Sequence, residues 1–210
     1  MALNFTKSDG TKRHSKLREE AIIEHLLLPG GLMQVTGCSK AGKSFLLIEM
    51  ALQLANGGSI FGQAVQRSYS VAYYNGELAS DEFHTRLDEL ARHRHVSTED
   101  VVGIHRMEGV RWSDVIDGAA SLRDRGIEVL IIDPISATYA GNVRDENSNS
   151  DIYEHLNDIR QTFSQIGITI IYAHHHMKSG PSGDAVNSGS GAGAFCLLYT
   201  SDAADDIPRV

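Results

Sequence analysis

"LMQVTGCSKAGKSFLLIEMALQLAN", residues 32–56, opens as a strand and closes as a helix, with glycines only at the joint. "LMQVT" (32–36) is short and apolar, whereas "KSFLLIEMALQLAN" (43–56) has helical spacing and strong helix formers. The joint carries Gly37, four residues, then Gly42, Lys43 and Ser44. This is the pattern G-x-x-x-x-G-K-[ST] in its strand–loop–helix setting, the Walker A loop. Its glycines let successive backbone N–H groups curl around β- and γ-phosphates, and the helix N-terminus adds positive potential. Lys43 brings a point charge to the phosphates, and Ser44 offers a hydroxyl to Mg²⁺. The candidate nucleotide-binding residues are Gly37, Cys38, Ser39, Lys40, Ala41, Gly42, Lys43 and Ser44, with ATP and Mg²⁺ as the implied cofactors.

Outward from this loop, strand and helix patterns alternate. Strands are expected at 70–75, 101–106, 128–133 and 168–173. Helices are expected at about 80–93, 113–125 and 151–165, with Ser113 as an N-cap and Asp114 in the first turn. "AIIEHLLLPGG" (21–31) reads as a short helix closed by Pro29-Gly30-Gly31. The run "EVLIID" (128–133) is almost continuously apolar, as in a strand buried on both faces of a parallel sheet. The expected fold is α/β, a mostly parallel sheet with helices on both faces. Two long polar loops, 136–151 and 178–193, follow strand ends where such folds hold their ligands.

Asp133 ends the apolar run 128–133, where a carboxylate is costly unless something cationic meets it. Beside a Walker A loop that cation is hydrated Mg²⁺, which makes Asp133 the candidate Walker B residue. Hydrolysis also needs a group that orients or deprotonates water. The residue after Asp133 is Pro134, which cannot serve; Glu77 in "YYNGEL", at the end of another strand on the same rim, is the candidate base. The competing reading of Glu77 is an acid near a helix N-terminus that only favours the dipole. "AHHHMKSG" (173–180) places three histidines at the end of the last strand. Alternation along a strand lets only His174 and His176 share a ligand easily, and two histidines without a carboxylate or thiolate fall short of a zinc site. A strand-end histidine, His174 or His175, can instead sense the γ-phosphate; a plain strand end is the third reading.

"GGLMQVTGCSKAGKSFLLIEMALQLANG", "AYYNGEL", "LIIDPISA" and "HHHMK" followed by "SGSGAGAF" together resemble the RecA-like ATPases of the plasmid replication helicase RepA type, over nearly all of residues 22–195. The Walker A part is shared by thousands of ATPases; its combination with the strand-end Glu, "DP" and the His-His-x-x-Lys segment is more specific. The resemblance implies a RecA-like P-loop NTPase core working as a homo-oligomeric ring, usually a hexamer, on single-stranded DNA. It implies Lys43 and Ser44 at phosphate and Mg²⁺, Asp133 holding the metal's water, Glu77 as base, and His174 and His175 as the family's His-His pair with Lys178 as its lysine. The DNA-gripping loops correspond to 136–151 and 178–193, whose basic side chains are Arg144 and Lys178. Contact there is expected with phosphate rather than base edges. The implied function is a helicase or translocase in plasmid or phage replication; the alternative is an ATP-dependent switch or loader that regulates a partner without translocating.

The chain departs from that pattern at its end, where a further strand and an arginine or lysine finger are expected. Cys196 to Asp205 in "CLLYTSDAADDIPRV" match the in-frame translation of a common transposase sequencing adapter. The expected organisation is a basic arm at 1–20, a RecA-like core at 21–195 that is incomplete at its C-terminus, and an adapter-derived tail at 196–210. With 210 residues and 41% hydrophobic content, the chain suits one α/β domain. A net charge of −8 argues against a surface that coats nucleic acid as a whole. Two widely spaced cysteines, Cys38 and Cys196, suggest neither a disulfide framework nor a zinc ribbon. With no signal-peptide pattern and no apolar run of about 20 residues, a cytoplasmic setting and no membrane partner are expected.

Overall fold

The computed structural model describes residues 20–38, 40–96, 103–146 and 148–175. In chain order its elements are β1 (Leu32–Gly37), α1 (Lys43–Asn56), a hairpin of β2 (Ser59–Ile60) and β3 (Gln63–Ala64), and β4 (Val71–Asn75). Then come α2 (Ser80–His93), β5 (Ile104–Glu108), α3 (Trp112–Asp117), α4 (Ala119–Asp124) and β6 (Val129–Asp133). A 3₁₀ turn at Ile135–Thr138, α5 (Asn149–Gln165) and β7 (Thr169–His175) complete the described chain.

Five strands form one sheet in the order β1-β7-β6-β4-β5, and every neighbouring pair is parallel. Alternation along the strands divides the core in two. Val71 and Tyr73 of β4, Val129 and Ile131 of β6, and Ile171 and Ala173 of β7 pack with Leu47, Ile48 and Leu54 of α1 and Phe83 of α2. Ala72, Tyr74, Leu130, Ile132, Ile170 and Tyr172 point the other way, onto Trp112, Val115 and Ala119 and onto Ile152, Leu156, Ile159 and Phe163 of α5. All five residues of β4 and of β6 are buried, as strands covered on both faces must be. The sheet is therefore a RecA-like α/β arrangement with helices on both faces, as the strand–helix alternation predicts.

Two expected helices take another form. Residues 21–31 make a tight turn in which the N–H groups of Ile22 and Ile23 donate to Leu27 O, and Ile23 bridges to Val65 of the hairpin segment. His25 sits at φ 59, a left-handed geometry that a continuing helix cannot hold. The helix expected over 113–125 begins one residue earlier, at Trp112, and breaks at Gly118 into α3 and α4. Glycine is a poor interior helix residue, and a Cβ at this one would lie 3.0 Å from Asp114 O. Ser113 does not cap: the N-cap position is Arg111, and the Ser113 hydroxyl donates to Asp114 Oδ1 at 3.4 Å.

Candidate functional site

The parallel sheet brings four strand ends to one edge. Gly37 stands opposite His175 across β1 and β7, and Asn75 stands opposite Asp133 across β4 and β6. Because β7 runs between β1 and β6, the histidine-bearing strand end separates the glycine loop from Asp133. The loop has the backbone shape that anion binding requires. Lys40 at φ 63 and Gly42 at φ 83 are left-handed on either side of Ala41, an alternation that turns successive N–H groups toward one point. Gly42 is the N-cap of α1, with no side-chain cap and no acidic residue in the first turn. The N–H groups of that turn are thus left for an external acceptor, in contrast to α2, which carries Asp81 and Glu82 there.

Lys43 is buried at the first position of α1 and folds back over the loop. Its Nζ donates to Gly37 O at 3.0 Å and to Cys38 O at 2.8 Å. Burial lowers its pKa from the ordinary lysine value, while the negative potential of Asp133, then Glu77 and Cys38, opposes the shift. The ammonium and both candidate carboxylates therefore share one electrostatic neighbourhood, although they come from three separate elements.

Asp133 is 4% exposed and lies, with Tyr73 and Asn75, on the α1 side of the sheet. Its Oδ2 accepts a 2.7 Å hydrogen bond from the Tyr73 hydroxyl. Burial first, and the adjacent Asp133 carboxylate second, push the Tyr73 phenol well above its ordinary range, so it remains a donor. The Tyr73 ring is fixed in turn by an edge contact with Phe83, centroids 4.9 Å apart.

The segment carrying Glu77 is held from both sides. Asn75 Nδ2 donates to Leu78 O at 2.7 Å, and Leu78 N–H donates back to Asn75 Oδ1 at 2.9 Å. Gly76 N–H donates to Asp133 O at 2.8 Å, tying the Glu77 segment to the end of β6. Glu77 itself is exposed on the rim. A Cβ at Gly76 would lie 2.3 Å from Ala137 Cβ, closer than real Cβ atoms approach anything. Gly76→Ala is expected to cost about 1–3 kcal/mol of stability as an overpacked site. Ala137→Gly in the same chain should recover most of that loss, measured as paired urea denaturation midpoints.

His174 is 3% exposed, and alternation along β7 puts it with Tyr172 on the α5 side. Beyond Asp133 the chain is anchored to α5: Thr138 Oγ1 donates to Ile135 O at 2.7 Å, so it accepts from His155 Nε2, also at 2.7 Å. Burial lowers the His155 pKa to about 4, which keeps the ring neutral. Arg144 is exposed on the loop that follows. Ser39, His176 and Lys178, the loop 178–193 and both expected terminal segments lie outside the described residues, apart from Glu20. Among the described residues no cluster of three or more His, Cys, Asp or Glu could hold a metal ion, and no helix is long and apolar enough to cross a membrane.

Tyr73, Asn75 and Gly76 are the members of the site that motif reading passes over. All three stand in "AYYNGEL", beside the residue it selects, but their partners are set by strand register, which the motif does not contain.

A glycine loop with an uncapped helix N-terminus, a lysine folded over it and a buried carboxylate on the strand beyond β7 define a P-loop nucleotide-binding domain. The chain belongs to the AAA domain family, which it matches over residues 3–181, and the domain is accordingly an AAA-family, P-loop ATPase-like module. No curated protein matches it.

Proposed function

We propose that the chain is an ATP-binding and ATP-hydrolysing motor on single-stranded DNA, of the plasmid replication helicase RepA type, working as a homo-oligomeric ring. The observation that carries the nucleotide chemistry is Lys43 folded over the glycine loop, within electrostatic reach of buried Asp133 and of the clamped Glu77 segment. The donor set fits a nucleotide with Mg²⁺: backbone N–H groups and an ammonium for phosphate, a hydroxyl and a carboxylate for a hard cation. In this reading residues 37–44 cradle the phosphates, Ser44 and Asp133 hold Mg²⁺ (Asp133 through water), and Glu77 orients the attacking water. Bound Mg²⁺ supplies neutralisation of charge on the phosphate oxygens. The sensing role is assigned to the His174–His175 pair, His175 being the residue opposite Gly37 in the sheet register.

Support for a motor comes from the chain path. The segment leaving Asp133 is anchored to α5 through Thr138 and His155, then presents Arg144 to solvent. The segment that leaves the phosphate edge therefore runs directly into the loop that carries Arg144. Arg144 and Lys178 are the proposed phosphate contacts, repeated around a ring. Single-stranded DNA is expected to accelerate ATP hydrolysis. Arg144→Ala should raise the DNA concentration needed for half-maximal stimulation and reduce the slope of log affinity against log salt by about one. Hydrolysis indifferent to DNA, together with nucleotide-dependent capture of a protein partner, would instead identify a switch or loader. The division into arm, core and adapter-derived tail belongs to the same proposal, and sequencing the source DNA across codon 195 tests it.

A further inference from the structure

We infer that Tyr73 is a positioning residue that aims the Asp133 carboxylate at the divalent cation, an inference that rests on the nucleotide–Mg²⁺ reading above. A carboxylate offers two oxygens and can turn about its final torsion, so a buried Asp at a cation site needs something to choose its orientation. Here the choice comes from the neighbouring strand. Register pairs Tyr73 with Ile131 and Asn75 with Asp133, which puts Tyr73 two residues before the Asp133 position and on the same face. From there the phenol reaches Oδ2 at 2.7 Å. Both residues are buried, Tyr73 fully and Asp133 at 4% exposure. The bond engages Oδ2, and in the proposal Oδ1 is the oxygen that holds the cation's water.

Among the described residues the Tyr73 hydroxyl bonds to Asp133. Its ring is set by Phe83 and by the apolar residues of α1, whose contacts a phenylalanine would keep. Partners that orient metal-bound groups typically matter 10–100-fold for metal affinity, although they touch no metal.

The test is the Mg²⁺ dependence of binding a fluorescent ATP analogue to the full chain, with binding in EDTA measured alongside. Tyr73→Phe is expected to raise the Mg²⁺ concentration for half-maximal binding by about 10-fold, with binding in EDTA altered less than about 2-fold. A general structural role would weaken both. On an Asp133→Asn background, adding Tyr73→Phe should produce no further shift in the Mg²⁺ requirement. That pair also covers a failure of the single variant to fold, because no buried carboxylate is then left without its donor. A Tyr73→Phe curve that superposes on wild type overturns the inference alone, as does a further shift in the double variant. If the wild-type chain binds the analogue without any Mg²⁺ dependence, the inference and the nucleotide–Mg²⁺ reading fall together.

Discussion

Lys43→Ala is expected to lower ATP hydrolysis by about 10³-fold or more, equivalent to about 4 kcal/mol of transition-state stabilisation, with the fold retained. The magnitude follows from where the ammonium sits. Lys43 Nζ is held over the loop by the carbonyls of Gly37 and Cys38, close to where the helix N–H groups converge. It shares its surroundings with Asp133 and Glu77, so in the proposed site it offsets two carboxylates as well as phosphate charge. Retention of the fold follows from opposing effects. Removing a buried ammonium relieves its desolvation, while Asp133 loses an attractive neighbour but keeps the Tyr73 hydrogen bond. Thermal melting separates the two expectations: a small shift in Tm beside a lost rate assigns the loss to chemistry. Lys43→Met, which keeps the apolar stem, should behave the same way. Wild-type hydrolysis by Lys43→Ala would mean that the phosphates bind elsewhere.

The sequence is most legible where one residue type has few substitutes. Gly42 needs a left-handed backbone, Lys43 supplies the loop's charge and Asp133 interrupts an apolar run; each is visible as a pattern, and each occupies the strand edge that the pattern implies. The helix α2 is legible to the residue, because Asp81 and Glu82 mark its start and apolar spacing carries it to His93. Legibility fails where the deciding partner is remote in the chain. The apolar run at 21–27 looks helical in isolation, yet Ile23 is claimed by Val65 across the hairpin, so tertiary pairing overrides local propensity. Gly118 is a failure of a different, local kind: one helix pattern spans it, but the helix breaks there into α3 and α4.

The site divides along the same line. Glu77 is legible as an acid at a strand end, whereas the reason it is held in place is not. Asn75 closes the loop around it through two bonds to Leu78, and Gly76 allows that loop to lie against Asp133 and Ala137. Neither fact is contained in "YYNGEL" without the register that sets Asn75 opposite Asp133. The Tyr73–Asp133 bond is hidden for the same reason, since sixty residues separate its partners.

Glu77→Gln separates the two readings of that acid. As a base or water-orienting group it should lose about 10²–10⁴-fold in hydrolysis, while the affinity for ATP stays within about 3-fold of wild type and ATP accumulates unhydrolysed on the chain. As a dipole acid it should change stability by at most about 0.5 kcal/mol and leave the rate alone. The structure weighs against the second role. The helix begins at Ser80 with Ala79 as its N-cap, so Glu77 stands outside the first turn, and Asp81 and Glu82 already serve the dipole there. Glutamine preserves the shape of the side chain and its capacity to accept a hydrogen bond, losing only charge and basicity. Asn75→Ala provides the complementary case, because it leaves Glu77 chemically intact but removes both bonds between Asn75 and Leu78 that help fix its loop. It should lower the hydrolysis rate by a smaller factor than Glu77→Gln, and on the Glu77→Gln background it should lower the rate little further. Full additivity of the two would mean that Asn75 acts independently of Glu77. A normal rate in Glu77→Gln would move the water-activating group to another side chain on this edge of the sheet.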